Sequence, residues 1–445
     1  MGVMMTRLQR VHVVGAGLAG LAASLRLAKA GIRVILHEAA PQAGGRCRSY
    51  FDEALGCRID NGNHLMMAGN TAVLSYLREI GAAATVSGPA EAEFHFFDLA
   101  TDERWVMRPN GGKFPWWIFS AKRRIPGTRS WDYLRALRLV LARPQENLTS
   151  VFNRDSLIFQ RLWLPLTVSA LNTEVDEAAA AALLSVLRET FGRGGAACRP
   201  LTPTHGLSES LIDPALGRIS AMSGELRFGS RLRAIKVRGD HVSTLSFDEG
   251  DEALERDTAI LLAVPPSTAA RIVPDLIAPN EFRPVVNAHF RAFAPQHTPP
   301  FIALLGGAAQ WVFRKREVLS VTISAGSQFV DMPASQLAEL LWPEVQRAYD
   351  LASGPPPAWQ IVKEKRATFA TTPTQLARRP KTVTRWSNLV LAGDWTDTGL
   401  PASIEGAVRS GFAAADVLLR TSTKYSKNGK RPITKSLGGE MVRAR

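Results

Sequence analysis

Val13-Val14-Gly15-Ala16-Gly17-Leu18-Ala19-Gly20 is the stretch that decides how this 445-residue chain folds. It follows a short apolar run, Val11–Val14, that reads as a buried strand. It opens a segment of helical Ala/Leu spacing, Leu18–Ala30. Gly31 stops that helix, and Val34–Leu36 reads as a second buried strand ending at Glu38. A lone G-x-G-x-x-G carries little weight, but here strand, turn, helix and strand follow in order. Gly15 permits the tight turn, Gly17 lets backbone amides approach a pyrophosphate, and Gly20 allows close helix–strand packing. The helix start at Leu18 and Ala19 supplies positive potential for phosphates. Glu38, 23 residues after Gly15, can accept hydrogen bonds from both ribose hydroxyls and would repel a 2′-phosphate. The unit therefore reads as a dinucleotide site that disfavours NADP.

Two packed domains are the default at this length. A hydrophobic fraction of 46% excludes wholesale disorder. Cys47, Cys57 and Cys198 fit neither a disulfide framework nor a zinc site, so no metal is expected and a reducing, cytoplasmic compartment is the simplest reading. No secretory signal or stretch long enough for a transmembrane helix is visible. The opening Met1-Gly2-Val3-Met4-Met5-Thr6 matches the short myristoylation pattern, although Met4 or Met5 could be the true start.

The net charge of +14 invites an anionic partner. Between Arg104 and Arg154 stand eleven Lys or Arg against two acids, interleaved with Trp105, Phe114, Trp116, Trp117, Phe119 and Trp131. That mixture suits an anionic membrane surface. It would also suit single-stranded nucleic acid, or be a solvated basic face over a tryptophan core. The membrane reading is favoured, and no nucleic-acid partner is expected.

Further helices are expected over Thr71–Ile80, Asp132–Leu141, Ala178–Thr190, Gln336–Tyr349 and Ser403–Leu419. Arg231–Val237, His241–Phe247 and Thr258–Leu262 read as a small meander, and Glu317–Ser324 and Asn388–Leu391 as strands. Thr421 to Arg445 reads as a basic disordered tail.

Gly44-Gly45-Arg46 with Ser49, after Glu38, resembles the second half of the dinucleotide motif of FAD-binding amine oxidases and carotenoid desaturases. By that resemblance the cofactor is FAD, Arg46 lies along its phosphates and ribityl chain, and Asp60-Asn61-Gly62 is a polar turn near the flavin. Gly393-Asp394-Trp395 and Gly399 through Ala407 resemble the flavin-binding end of the same superfamily. Asp394 would accept from a ribityl hydroxyl, and the helix beginning at Ser403-Ile404 would aim its amides at the pyrimidine end of the ring. The backbone around Leu232 would contact adenine. The implied fold is α/β, a Rossmann-like FAD-binding domain (1–90, 205–265 and 380–420) interleaved with an α+β substrate domain (91–204 and 266–379), followed by the tail at 421–445. No Cys follows Cys198, which excludes covalent flavin there. The strand Val285–Phe293 carries His289 and Arg291 but no Lys, which argues against amine oxidation.

A narrower family is similar over about residues 10–420: the squalene-associated FAD enzymes of bacterial hopanoid synthesis, the hydroxysqualene dehydroxylases. The similar phrases are Asp60-Asn61-Gly62-Asn63-His64-Leu65, Trp163-Leu164-Pro165-Leu166, Ala170-Leu171-Asn172-Thr173, Val186 to Phe191, Gly206 to Glu209, Glu364 to Thr368, and Gly393 to Pro401. His205, where an apolar residue is expected, and Asn63, where Gln is expected, depart from the pattern. The resemblance implies reductive dehydroxylation of hydroxysqualene, a C30 isoprenoid, to squalene, peripheral attachment at the inner face of the cytoplasmic membrane, and functional association with the squalene and hopanoid synthases. The alcohol is allylic, so protonation and loss of water would give a delocalised cation that takes hydride from the reduced flavin. His64 is the first candidate acid, ahead of His205 and His289. Asn172 and Thr173 could orient the hydroxyl or cap a turn. A carotenoid-type desaturase, an amine oxidase and a non-enzymatic scaffold are the alternatives.

Overall fold

The glycine-rich turn lies at the carboxyl edge of a five-stranded parallel sheet in a computed structural model that describes residues 8–428. Strand order is Glu225–Phe228, Arg33–Glu38, Arg10–Val14, Thr258–Leu262, Leu389–Leu391. Parallel strands covered on both faces must be apolar on both, and these are. Val11, Val13, Val34, Leu36, Ala259, Leu261 and Val390 pack in the core that also holds the helices Leu18–Lys29 and Ile404–Asn428. Val14, Ile260, Leu262, Leu389 and Leu391 face the other way, against residues of a small antiparallel sheet. The two helices approach closely at Gly411, where an added Cβ would stand 2.1 Å from the Ala19 carbonyl oxygen.

A second, seven-stranded sheet has the order Trp359–Phe369, Phe282–Phe290, Leu319–Ile323, Trp311–Arg314, Phe301–Leu305, Phe94–Asp98, Glu103–Met107. Alternation along its strands separates its faces. Val286, Ala288, Phe290, Val312, Val321 and Ile323 pack with the helix Ala334–Tyr349. Phe96, Trp105, Phe301, Ala303 and Phe313 face a cluster of aromatic and aliphatic side chains from residues 117–198.

Three expectations are corrected. Thr258–Leu262 is not part of the meander: the antiparallel partner of His241–Phe247 is Gly250–Ala253, while Thr258–Leu262 is fully apolar and inserts into the parallel sheet between Arg10–Val14 and Leu389–Leu391. Asp132–Leu141 is not one α-helix. Ser130–Leu134 is α-helical and Arg135–Leu141 is 3₁₀. Its three-residue period puts Ala136 and Leu139 inward and Leu137 and Val140 on an outer, solvent-facing row. The final helix continues to Asn428, past the expected start of the disordered tail at Thr421. The rest of that tail and the Met1–Thr6 pattern lie outside the described residues. Among the described residues, no helix is long and apolar enough to cross a membrane.

Candidate functional site: an extended dinucleotide track

The turn is built as its glycines require. Gly15 sits at φ +104°, a conformation that L side chains rarely adopt, and a Cβ there would meet the Ala263 carbonyl oxygen at 2.5 Å. A Cβ on Gly20 would stand 1.9 Å from the Gly15 oxygen. Gly17 differs: a Cβ there would meet nothing within 4 Å, so the space before it is open. Gly17 is also the N-cap of the Leu18–Lys29 helix, whose first amides, from Leu18 and Ala19 on, face that opening. Glu38 takes the Ala16 N–H at 2.8 Å on one carboxylate oxygen and the Ala40 N–H at 2.9 Å on the other. Each oxygen has a further lone pair for a ribose hydroxyl. Ser230 N–H bonds to the Glu38 carbonyl at 2.9 Å, which brings the strand beginning at the buried Leu232 beside that carboxylate.

From this turn the predicted residues continue in one line. Gly44 N–H bonds to the Ala16 carbonyl at 2.9 Å, and a Cβ on Gly45 would come within 3.8 Å of the Gly17 Cα. Arg46 then reaches across the molecule to the buried Asp394 at 2.7 Å, and that carboxylate holds its guanidinium above the usual arginine range. The pair joins segments 348 residues apart in sequence. Arg48 N–H bonds to Asn61 Oδ1 at 3.2 Å, and Gly62 approaches Asn287 of the seven-stranded sheet so closely that a Cβ would be 3.2 Å from its amide nitrogen. At the far side Gly393, at φ +140°, donates its N–H to Ser410 at 2.8 Å. Ser403 Oγ accepts the Gly406 N–H at 3.1 Å and so caps the helix that starts at Ile404. Carboxylate, open amide turn, arginine–aspartate bridge and capped helix start are thus linked one to the next by these contacts. The donor set fits an extended dinucleotide: hydroxyl acceptors at one end, amides and a guanidinium for phosphates in the middle, and a helix N-terminus at the other.

His64 lies beside this line, with Nε2 3.9 Å from Cys47 Sγ. Burial pushes its imidazole down to about 4, against the opposing pull of Asp60 and of a hydrogen bond to the Arg46 backbone. Asn172 and Thr173 are occupied by the fold. Asn172, at φ +46°, donates to the Arg283 carbonyl and Thr368 Oγ1 and accepts from Ala325 N–H at 2.6 Å. Thr173 Oγ1 donates to the Leu171 carbonyl and accepts the Thr371 N–H at 2.8 Å.

Three residues escaped the sequence reading. Lys315 reaches Asp60 Oδ2 at 2.7 Å from beside the Trp311–Arg314 strand, so an ammonium does enter this region, though not from Val285–Phe293. Arg379 donates to the carbonyls of Asp394, Thr396 and Leu400 and to Thr398 Oγ1, pinning the whole loop before the Ile404 helix. Glu405 accepts the N–H groups of Ala72 and Val73 at 3.1 and 3.0 Å, fixing the two helix starts together. Only side chains spanning distant segments are involved, and no spacing along the chain announces them.

Similarity to known proteins identifies the family. The model of the family "Flavin containing amine oxidoreductase" matches residues 18–419. The hydroxysqualene dehydroxylase of Rhodopseudomonas palustris is 48% identical over 92% of this chain and 98% of its own, and that of Sinorhizobium fredii 44% identical over 92% and 98%. Among solved structures, cyclohexylamine oxidase from Brevibacterium oxydans shares the fold at a TM-score of 0.68 and 16% identity, over 94% of this chain and 99% of that one. With the glycine turn, the Arg46–Asp394 bridge and the capped helix start in place, the chain belongs to the flavin-containing amine oxidoreductase family and, within it, to the hydroxysqualene dehydroxylases.

Proposed function

We propose that this chain is an FAD-dependent oxidoreductase that removes the hydroxyl group of hydroxysqualene to give squalene. The observation that carries the reading is near-full-length identity of 48% to a hydroxysqualene dehydroxylase, on a structure whose donor set fits FAD. In this reading Gly15, Gly17, Gly20, Leu18 and Ala19 form the phosphate turn, with Gly44, Gly45 and Arg46 closing over it. Glu38 and the Leu232 strand take the adenosine end. Asn61, Gly62, Gly393, Asp394, Ser403 and Ile404 take the ribityl and ring end. When bound and reduced, FAD supplies the hydride. The protein's own residues protonate the leaving hydroxyl, for which His64 is our candidate, and keep bulk water from the allylic cation. The buried aromatic and aliphatic cluster that runs from Ala92 to Cys198 and includes Phe301 and Phe313 would give a C30 chain apolar surroundings.

We further place the enzyme on the inner face of the cytoplasmic membrane. Phe114, Trp116, Phe119, Trp131, Leu137, Val140 and Leu141 are exposed, among the exposed cations Lys113, Lys122, Arg129, Arg135, Arg138 and Arg143. Trp105 and Trp117 are buried and belong to the core instead. Rings and aliphatic side chains surrounded by cations suit an anionic bilayer surface, and the synthases that make and consume squalene are the expected functional neighbours. The deciding experiment is anaerobic incubation of photoreduced enzyme with hydroxysqualene. Flavin reoxidation in step with squalene formation is expected; reoxidation without squalene, or neither, would remove the reading.

A further inference from the structure

One face of the seven-stranded sheet changes character along its rows. In the first row, strand pairing sets His289 beside Ser320, Ser320 beside Phe313, and Phe313 beside Phe301. In the next row Asn287, Thr322, Trp311 and Ala303 follow in the same way. Directly opposite residues share a face, so a polar quartet continues sideways into an aromatic wall. The segment Asn61–Asn63 crosses the polar half.

The hydrogen bonds there constrain one another's direction. Asn287 Nδ2 donates to the Asn61 carbonyl, so Asn287 Oδ1 is an acceptor, and Thr322 gives its hydroxyl proton to it at 2.8 Å. Thr322 Oγ1 must then accept from Asn63, 2.9 Å away, which makes that Asn63 atom Nδ2. The second Nδ2 hydrogen goes to Ser320 Oγ at 2.8 Å. Ser320 Oγ also lies 2.8 Å from His289 Nδ1; we assign the tautomer that gives the Ser320 hydroxyl hydrogen this acceptor, which puts the imidazole hydrogen on Nε2. Two atoms are left over, and both are buried without a partner among the described residues: His289 Nε2, a donor, and Asn63 Oδ1, an acceptor. His289 is fully buried. Orphaned polar atoms in such a place are costly unless a ligand completes them.

We propose that His289 Nε2–H and Asn63 Oδ1 together bind the hydroxyl group of the substrate, which accepts from the first and donates to the second. A hydroxyl group has both capacities. The aromatic row beside it, ending at Phe301, would take the apolar body. Phe301 also lines a surface cleft of about 270 Å³ with Pro89, Pro200 and Pro300. Burial pushes the His289 imidazole down to about 3, so at neutral pH it is an uncharged donor that holds the alcohol and does not itself protonate it. The proposal rests on hydroxysqualene as substrate and adds the residues that recognise its hydroxyl.

The test is equilibrium binding to the oxidised, FAD-loaded enzyme, read from flavin absorbance, with hydroxysqualene and squalene as ligands. The wild-type enzyme is expected to prefer the alcohol by about tenfold to a hundredfold, the range for a paired against an unpaired buried polar site. His289→Phe should abolish that preference while leaving squalene affinity unchanged, and His289→Gln, which keeps an N–H donor, should recover part of it. Equal weakening of both ligands in His289→Phe, or no change in either, would overturn the assignment. Should the variants fail to retain FAD, the wild-type comparison with the O-methyl ether of hydroxysqualene decides. The ether cannot donate to Asn63 and should bind at least about tenfold more weakly than the alcohol; equal binding overturns the proposal. Turnover of hydroxysqualene by the wild-type enzyme separates failure here from failure of the proposed reaction.

Discussion

Gly17 and Gly20 are both glycines of one motif, yet the structure gives them different reasons. Gly20→Ala would drive a Cβ into the Gly15 carbonyl oxygen 1.9 Å away, so it disrupts the turn itself. The expected result is a protein that loses both FAD and stability, seen as a lower apo melting temperature. Gly17→Ala meets nothing in the protein within 4 Å. Its apo form should melt like the wild type, while FAD affinity falls at least about tenfold, because the methyl group occupies the space that a pyrophosphate needs. A Gly17→Ala protein with normal FAD affinity would place the phosphates elsewhere. For His64 the pH profile is the sharper probe. With its imidazole at about 4, roughly one molecule in a thousand carries the imidazolium at pH 7, and each unit of falling pH raises that share about tenfold. If His64 is the acid, single-turnover dehydroxylation should therefore quicken as pH drops from 7 toward 5. His64→Ala should lower the rate more than about tenfold and flatten the profile with FAD content intact. A wild-type rate indifferent to pH over that range assigns the proton to another group.

At the scale of elements, the loop 394–400 depends on one side chain from outside it. Burial lowers the affinity of Arg379 for its proton, and Asp397 and Asp394 oppose that effect. The guanidinium serves the three carbonyls of Asp394, Thr396 and Leu400. Arg379→Met keeps the length but strips those acceptors of their donor, at about 1–3 kcal/mol for each one left buried. FAD release should quicken at least about tenfold, read by flavin fluorescence, with Arg379→Lys intermediate; unchanged release would show that the loop holds its shape without the arginine. The glycine turn and the strands flanking it were legible because local chemistry dictates them, through positive φ and continuous apolar runs, and the helix start at Ser403 was legible through its resemblance to the flavin-binding end of the superfamily. Arg379 was not, since its partners lie 15–21 residues away in a loop with no periodic pattern. Thr258–Leu262 was misplaced for a related reason. A short apolar run names a buried strand but not its neighbours, and the run entered the parallel sheet through pairing with Arg10–Val14, nearly 250 residues earlier. Asn172 and Thr173 show the converse. They are conspicuous in sequence, and their polar atoms join the 164–171 helix end to strands near 283, 325 and 371.

At the scale of the whole molecule, charge and apolar exposure coincide on one region. A net charge of +14 spread evenly would give weak attraction to any polyanion. Here the 3₁₀ geometry of Arg135–Leu141 turns Leu137 and Val140 outward, with Leu141 83% and Trp131 76% exposed. On the proposed membrane reading, a lipid surface would take up these apolar groups at its interface, and each nearby cation would gain about 1 kcal/mol against anionic headgroups. The two contributions separate by salt and by mutation. The wild-type protein should sediment with phosphatidylglycerol-containing vesicles and much less with phosphatidylcholine alone. Raising salt from about 0.1 to 1 M, which shortens the Debye length from about 10 to 3 Å, should release a large part of it. Trp131→Ser with Leu141→Ser should weaken binding at both salt concentrations, because what they remove is unscreened, while Arg135→Gln with Arg138→Gln should weaken it only at low salt. Binding that ignores salt would leave the cations without a part in docking, and binding that ignores the serine pair would do the same for the exposed rings and aliphatic side chains.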